Sequence, residues 1–318
     1  MNKMFPFLDI EAHLQKVVVV IFGILLFSSL LFYVWKRIKP GKLIDEMILR
    51  LRSWWVICIL FLYATLSGPF ATCVGLGLLS FLALREIYTH LKMRNTDRVA
   101  LLVCYLCIPV QYYFAYKGWY NLFMSFIPVF MFIIIPFMMV ISGYEKHMGR
   151  SMGMMTSAFV LSVFGVSHMA MLVCHPGLNL DPAMGKGLLL FLIFLTQIND
   201  VMQFTFGKLL GRNKILPVVS PNKTWEGFLG GLLGTSVIGY FMGFLTPFED
   251  TWQIVLLSFS VALFGFIGDA IVSAIKRDFG IKDMGDSIPG HGGYLDRIDS
   301  LTASSAPFFH IVFILLLA

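Results

Sequence analysis

The stretch that decides the fold is residues 253–277, which read QIVLLSFSVALFGFIGDAIVSAIKR. Sixteen uncharged and mostly apolar residues precede Asp269, and the apolar run continues to Ile275 before two basic residues end it. A helix needs about 20 apolar residues to cross the hydrocarbon core of a membrane, whereas a spanning β-strand would alternate in polarity and be about half as long. The stretch therefore predicts a transmembrane α-helix that carries one carboxylate.

The apolar composition extends along the whole chain. Of its 318 residues, 58% are hydrophobic and 13% charged, and the mean hydropathy is +0.81. Soluble domains are about half apolar and a quarter charged, so a soluble enzyme, a disordered chain and a disulfide scaffold are excluded. We predict an all-α, polytopic integral membrane protein with about ten transmembrane helices. Their approximate bounds are 17–35, 54–67, 70–84, 99–116, 120–142, 152–174, 185–205, 226–245, 253–275 and 301–318.

The loops between these spans predict the orientation. With ten spans, 20 of the 24 Lys and Arg residues fall on one side of the membrane. Basic loops favour the cytoplasm, so both termini are expected on the non-cytoplasmic side. This arrangement predicts a multi-pass membrane protein whose basic loops face the cytoplasm. No nucleic-acid recognition module accompanies the net charge of +6, and no nucleic-acid partner is expected. The basic segments are 36–53, 85–98, 143–151, 206–225 and 276–300.

Polar residues divide the chain unevenly. Residues 1–190 carry few ionisable groups within the predicted spans and are interpreted as N-terminal transmembrane helices. Residues 191–318 contain Asn199-Asp200 inside an apolar run, a basic loop and a dense charged loop. We predict that this second region is catalytic, with the substrate site on its cytoplasmic loops.

The first motif lies at the entry to the eighth span, where residues 220–227 read SPNKTWEG. Ser followed by Pro is typical of a helix start, which predicts Ser220 as the N-cap and Lys223 in the first turn. A helix N-terminus with free amides and a lysine suits a phosphate. Lys223 and Glu226 are three residues apart and would share a face. The alternative is an ordinary capped helix with Trp225 at the membrane interface.

The second motif begins at Asp269, because an ionised carboxylate within a span is costly unless it is paired. Ser273 and Lys276 follow on the same helical face, and residues 282–299 then read KDMGDSIPGHGGYLDRID. Carboxylates near a membrane boundary suit Mg²⁺, which takes one or two of them together with substrate phosphates. His291 could serve as a general base, although orientation or hydrogen bonding is favoured. A solvated, self-neutralising loop would explain the loop charges but not Asp269.

At these residues the sequence resembles the phosphatidate cytidylyltransferases, also called CDP-diacylglycerol synthases. The family signature runs S-x-aliphatic-K-R, then K-D, P-x-H-G-G and D-R-x-D. Tyr294 departs from it, since the family usually has an aliphatic residue or Phe there. The resemblance is specific over about residues 199–300, and the first 190 residues match only in being apolar and multi-span. The matching segments are Ser273–Arg277, Lys282-Asp283, Pro289–Gly293, Asp296–Asp299, Asn199-Asp200 and Ser220–Gly227.

The resemblance implies an integral enzyme that joins CTP to phosphatidic acid, releasing pyrophosphate and CDP-diacylglycerol. It also implies Mg²⁺, with Asp269 and Asp296 as the metal ligands. A homodimer is a further expectation, as is a place in the bacterial inner membrane with the active site facing the cytoplasm. The expected catalytic residues are Lys276, Arg277, Lys282, Asp283, His291 and Asp299, and the expected CTP or phosphate ligands are Ser220, Lys223, Asp200 and Glu226.

Two other functions stay open at this point. A CTP-dependent membrane lipid kinase of the polyprenol type would share the helices and the phosphate chemistry but would release CDP. A non-catalytic transporter could also hold a membrane-embedded Asp, although it would be expected to carry paired charges in several spans.

Overall fold

The computed structural model describes residues 11–91, 97–143, 148–178 and 180–317, and within them the protein is almost entirely helical. Nine helices in this part are long and apolar enough to cross a membrane. A tenth, α10, has 17 residues, which rise about 26 Å and span most of the hydrocarbon core. The prediction of an all-α protein with about ten spans is confirmed. The helices are α1 (Ala12–Ile38), α2 (Lys42–Leu66), α3 (Pro69–His90), α4 (Arg98–Lys117), α5 (Tyr120–Ser125), α6 (Phe132–Ile141), α7 (Met148–Phe159), α8 (Val166–Cys174), α9 (Pro182–Leu210), α10 (Trp225–Phe241), α11 (Thr251–Asp278) and α12 (Leu295–Leu317).

Two spans are interrupted by a π-helical turn. Residues Phe126–Met131 join α5 to α6, and residues Val160–Gly165 join α7 to α8. The second turn ends where a Cβ on Gly165 would collide with the backbone carbonyl of Thr302 in α12. The absence of a side chain at this position therefore lets α8 and α12 approach closely.

The helices that position the polar residues are α9 to α12. Gly268 of α11 faces α12, and a Cβ there would lie 2.6 Å from the carbonyl oxygen of Asp299. This close approach sets Asp269, the next residue of α11, beside the first turns of α12. A two-stranded antiparallel hairpin, β1 (Lys214–Leu216) and β2 (Ser220–Thr224), connects α9 to α10.

The hairpin corrects the predicted start of the eighth span. The helix begins at Trp225, and its N-cap is Thr224, whose hydroxyl accepts a hydrogen bond from the backbone N–H of Gly227 at 3.1 Å. Ser220 and Lys223 lie in β2, so the prediction of Ser220 as N-cap and Lys223 in the first turn is wrong. Ser and Thr are both good capping residues. Pairing with β1 keeps residues 220–224 extended, and the later of the two becomes the cap.

Described residues of all five basic segments meet at one end of the helices, as the alternation of the segments along the chain predicted. The second and third spans also extend past their predicted ends into this region, because hydropathy marks the hydrocarbon-embedded part of a helix and not its last turn. The contacts that join the segments are Ser53 Oγ to the carbonyl of Pro289 at 2.8 Å, His90 Nε2 to the carbonyl of Met284 at 2.6 Å, Arg150 to Asp278 at 2.9 Å, and Arg277 Nε to the carbonyl of Val219 at 3.1 Å.

Candidate active site

The first charge pair of the site joins β2 to α11. Lys223 Nζ lies 2.6 Å from Asp269 Oδ2, and the two side chains are 15% and 25% exposed. Asp269 Oδ1 accepts a hydrogen bond from Ser273 Oγ at 3.1 Å. The ammonium also lies 4.5 Å from the centroid of the Phe266 ring, whose electron-rich face attracts a cation. Lys223 thus places a cation beside α11, in contact with a carboxylate that water can reach.

The second charge pair joins α11 to α12. Lys276 Nζ lies 2.9 Å from Asp296 Oδ1 and 3.8 Å from Asp299 Oδ2. The other oxygen of Asp296 accepts hydrogen bonds from the backbone N–H groups of Met284, at 2.8 Å, and Gly293, at 2.9 Å. Asp296 is buried, and both of its oxygens are engaged. It therefore fixes the loop between α11 and α12 in place as well as pairing with the lysine.

Asp200 of α9 brings a further carboxylate to the same place. Its Oδ1 accepts a hydrogen bond from Ser300 Oγ at 3.4 Å. Asp200, Asp269 and Asp299 repel one another electrostatically, while Lys223 attracts Asp200. Together with Asp296, four carboxylates are gathered around Lys223 and Lys276. This excess of negative charge is the feature that a bound cation would offset.

Asp269 fits a magnesium ligand best among these carboxylates. It is the more exposed member of its ion pair, and two further carboxylates lie within electrostatic reach. Among the residues that the structure describes, no three His, Cys, Asp or Glu side chains are arranged to hold a metal ion by themselves. A Mg²⁺ ion here would therefore draw ligands from substrate phosphates, as is usual for this ion. Asp296 Oδ1 accepts one hydrogen bond, from Lys276, so a second lone pair on that oxygen could join the ion.

His291 lies beside this cluster, on the loop that precedes α12. Its ring contacts Trp54 of α2 edge to face, with the ring centroids 5.8 Å apart. Partial burial lowers the pKa of His291, and the positive charges of Arg297 and Arg50 lower it further, against a backbone hydrogen bond with Pro289 that raises it. This lowered pKa favours the neutral imidazole at pH 7. A neutral ring held against an aromatic side chain suits the predicted role in orientation or hydrogen bonding.

The remaining predicted residues surround the cluster. Arg277 donates from Nε to the carbonyl of Val219 and from Nη1 to that of Ile281, at 3.1 and 3.0 Å, so it ties the hairpin to the end of α11. Lys282 and Asp283 are exposed on the following loop. The structure thus brings together six of the twelve predicted residues. They are Asp200, Lys223, Asp269, Lys276, Asp296 and Asp299.

Two predicted phosphate ligands have other partners in the structure. Glu226 accepts hydrogen bonds from the backbone N–H groups of Arg212, at 3.1 Å, and Asn213, at 3.2 Å, and from the side-chain amide of Asn213 at 2.8 Å. Ser220 pairs with Leu216 across the hairpin. Both residues hold the segment that carries Lys223, and their direct contact with CTP stays a prediction.

One residue of the site, Glu86 of α3, was missed by the sequence analysis. It is buried, and its carboxylate accepts two hydrogen bonds from the loop that precedes α12 and one from the first residue of that helix. The third span was predicted to end at residue 84, so Glu86 fell in the basic segment 85–98. The helix continues to His90, one turn beyond Glu86, and hydropathy does not mark that last turn.

Comparison with known proteins identifies relatives. The profile of the Cytidylyltransferase family matches residues 48–316. The chain is 36% identical over 303 residues to the uncharacterized protein YnbB of Escherichia coli (strain K12), covering 94% of this chain and 98% of that protein. It is 29% identical over 251 residues to a phosphatidate cytidylyltransferase of Staphylococcus saprophyticus, covering 77% and 91%. A phosphatidate cytidylyltransferase of Staphylococcus haemolyticus is 41% identical over 117 residues, which are 36% of this chain and 45% of that protein. The family resemblance of the motifs is confirmed.

Proposed function

We propose, from the premise that this chain belongs to the cytidylyltransferase family, that it transfers the cytidylyl group of CTP to phosphatidic acid. The products are CDP-diacylglycerol, a precursor for phospholipid biosynthesis, and pyrophosphate. The observation that carries the proposal is the convergence of Lys223 and Lys276 with four carboxylates at one end of the membrane helices. Two relatives named phosphatidate cytidylyltransferase support the choice of lipid.

The reaction joins two anions. An oxygen of the phosphatidate phosphate forms a bond to the α-phosphorus of CTP, the bond from that phosphorus to the bridging oxygen of the β-phosphate breaks, and pyrophosphate leaves with the electron pair. Phosphatidate is already ionised near neutral pH, so no strong base is required. Positioning and neutralisation of charge therefore account for most of the catalysis.

Lys223 and Lys276 are the residues that would neutralise the phosphates. Each is paired with a carboxylate before substrate binds, Lys223 with Asp269 and Lys276 with Asp296. A polyphosphate offers these ammonium groups stronger acceptors than a single carboxylate does. The pairs thus hold both ammonium groups at the site until a substrate phosphate replaces part of their contact with the carboxylates.

We also propose Mg²⁺ as the cofactor, held by Asp269 and Asp296 together with substrate phosphates. When bound, it would supply positive charge to the triphosphate and the departing pyrophosphate. Lys276 would stay paired with Asp296 and so lie close to a phosphate bound there. The other residues around it would orient the substrates and exclude water.

The cytoplasmic side of a bacterial inner membrane is the proposed location of the site. Twenty of the 24 basic residues lie in the segments that meet there, and CTP is a cytoplasmic nucleotide. A lipid phosphate in the bilayer and a soluble nucleotide can meet only at such an interface. A homodimer stays a prediction.

The test uses CTP labelled in one experiment at the α-phosphate and in another at the γ-phosphate. The detergent-purified protein is incubated with Mg²⁺ and phosphatidic acid, and the lipid is separated. Cytidylyl transfer puts only the α-label into lipid, while the γ-label leaves as pyrophosphate. A lipid kinase supplied with a polyprenol would put the γ-label into lipid. Absence of α-labelled lipid with folded protein would refute the proposal.

A further inference from the structure

The turn that enters α12 is held by a carboxylate from the other half of the chain. Glu86 of α3 accepts hydrogen bonds at its Oε1 from Ser287 Oγ, at 3.0 Å, and from the backbone N–H of Tyr294, at 2.9 Å. Its Oε2 accepts one from the backbone N–H of Leu295, the first residue of α12, at 2.9 Å. A negative charge at this position also suits the positive end of the helix dipole. Glu86 therefore acts as a cap supplied by a residue more than 200 positions away in sequence.

Two adjacent glycines make room for this arrangement. A Cβ on Gly293 would lie 2.5 Å from Glu86 Oε2, and all three of its nearest atoms would belong to the Glu86 carboxylate. A Cβ on Gly292 would lie 2.9 Å from Asp296 Oδ2. Each glycine thus faces one of the two carboxylates. The glycine pair is needed because two acids approach the same turn.

The two carboxylates divide the backbone amides of the turn between them. Asp296 takes the N–H groups of Met284 and Gly293, and Glu86 takes those of the next two residues. Asp296 follows immediately after the segment that Glu86 binds, and its other oxygen holds Lys276. Release of the turn from α3 would therefore let Asp296 move and would loosen the position of Lys276.

We propose that Glu86 is a positioning residue for the cytidylyl transfer, which fixes the turn at residues 293–295 and through it the Asp296–Lys276 pair. The expected effect on kcat rests on the proposed function. The expected effect on the position of the turn rests on the hydrogen bonds alone. Glu86 touches neither substrate in this role. Its loss should lower kcat far more than it changes the Michaelis constant for CTP or for phosphatidic acid.

The first experiment replaces Glu86 by Gln, which keeps the volume, removes the charge and sets an amide donor against a backbone N–H. Loss of one charge-assisted hydrogen bond predicts a fall in kcat of about tenfold to a hundredfold. Release of the turn is measured separately by maleimide labelling of Met284→Cys, because Met284 is 2% exposed and should react faster once the turn loosens. The matched control is Glu46→Gln, which changes an exposed carboxylate on α2 and should alter neither readout.

The second experiment is a double-mutant cycle that tests the contact itself. Gly293→Ala should lower kcat and speed labelling in the wild type, since the new methyl group meets the Glu86 carboxylate. The same substitution should lower kcat and speed labelling much less in a Glu86→Ala background, where that carboxylate is gone. Equal effects of Gly293→Ala on kcat and on labelling in both backgrounds would overturn the inference. A folded Glu86→Gln protein with the kcat and the labelling rate of the wild type would also overturn it. If the wild type itself makes no CDP-diacylglycerol, the proposed function fails, and the labelling arm still decides the role of Glu86.

Discussion

Replacement of Lys223 by Ala removes the cation nearest to Asp269. The ammonium lies 2.6 Å from the Asp269 carboxylate and 4.5 Å from the Phe266 ring centroid, in a side chain that is 15% exposed. A charge-assisted contact is worth about 1.5–3 kcal/mol, which corresponds to about a tenfold to hundredfold change in an equilibrium constant. If Lys223 exchanges this carboxylate for a CTP phosphate, the substitution should raise the Michaelis constant for CTP by that factor and change the constant for phosphatidic acid less.

The position of Lys223 in β2 sharpens this expectation. Because it does not lie in the first turn of a helix, the effect comes from one ammonium and not from a helix dipole as well. Lys223→Arg should recover only part of the loss, since a planar guanidinium does not reproduce a compact ammonium. The control is Lys186→Ala at the opposite end of the helices, where Lys186 Nζ donates to the carbonyl of Leu66 at 3.0 Å.

Initial rates over a range of CTP and phosphatidic acid concentrations measure both constants for each variant. The thermal unfolding temperature of each variant is measured in the same detergent, because Lys223→Ala leaves Asp269 beside two other carboxylates. An unchanged Michaelis constant for CTP in a folded Lys223→Ala enzyme would refute the assignment of this lysine to the nucleotide. It would leave Lys223 as a structural partner of Asp269.

Three further outcomes are expected. Asp269→Asn keeps the volume but removes the anion, so activity with labelled CTP should fall by several orders of magnitude, and added Mg²⁺ should restore little. Burial lowers the pKa of His291, so this side chain binds more protons in the unfolded chain than in the folded one below about pH 6.5. The free energy of unfolding should therefore fall as the pH drops below about 6.5. Unfolding temperatures measured against pH should fall less steeply in His291→Asn. Asp286 and Glu249 are both exposed, and cysteines that replace them should be labelled from opposite sides of the membrane, the one at position 286 from the cytoplasm. Labelling of Asp286→Cys from outside would contradict the predicted orientation.

The parts of this fold that sequence predicts are those set by local patterns. Apolar runs predict the spans, and most of these runs are about 20 residues long because the membrane imposes that length whatever the neighbouring helices are. Asp269 stands out for the same reason, since a carboxylate in such a run needs a partner. The start of α10 was not predictable in this way. Ser220 and Thr224 are both suitable caps, and the choice between them depends on pairing with a strand that carries no strong signal of its own.

The partners of each charge were also beyond local reasoning. Helical spacing places Asp269 and Lys276 on one face, but the structure pairs Lys276 with Asp296 from the next helix and Asp269 with Lys223 from the hairpin. Glu86 binds residues more than 200 positions away. Such pairs are fixed by how helices pack, and one sequence read along its length contains no record of that packing.

The distribution of these partners shows how a residue outside the region predicted to be catalytic can support the site. Four carboxylates near the end of apolar helices are costly, because each must be desolvated and they repel one another. Lys223 and Lys276 offset part of this cost, and backbone amides offset more at Asp296. Yet the turn that carries one of those amides, that of Gly293, is held at the next two residues by Glu86 of α3, outside the region predicted to be catalytic. A chain reduced to residues 191–318 would keep every predicted site residue and lose Glu86, so its entry turn to α12 would be free to move.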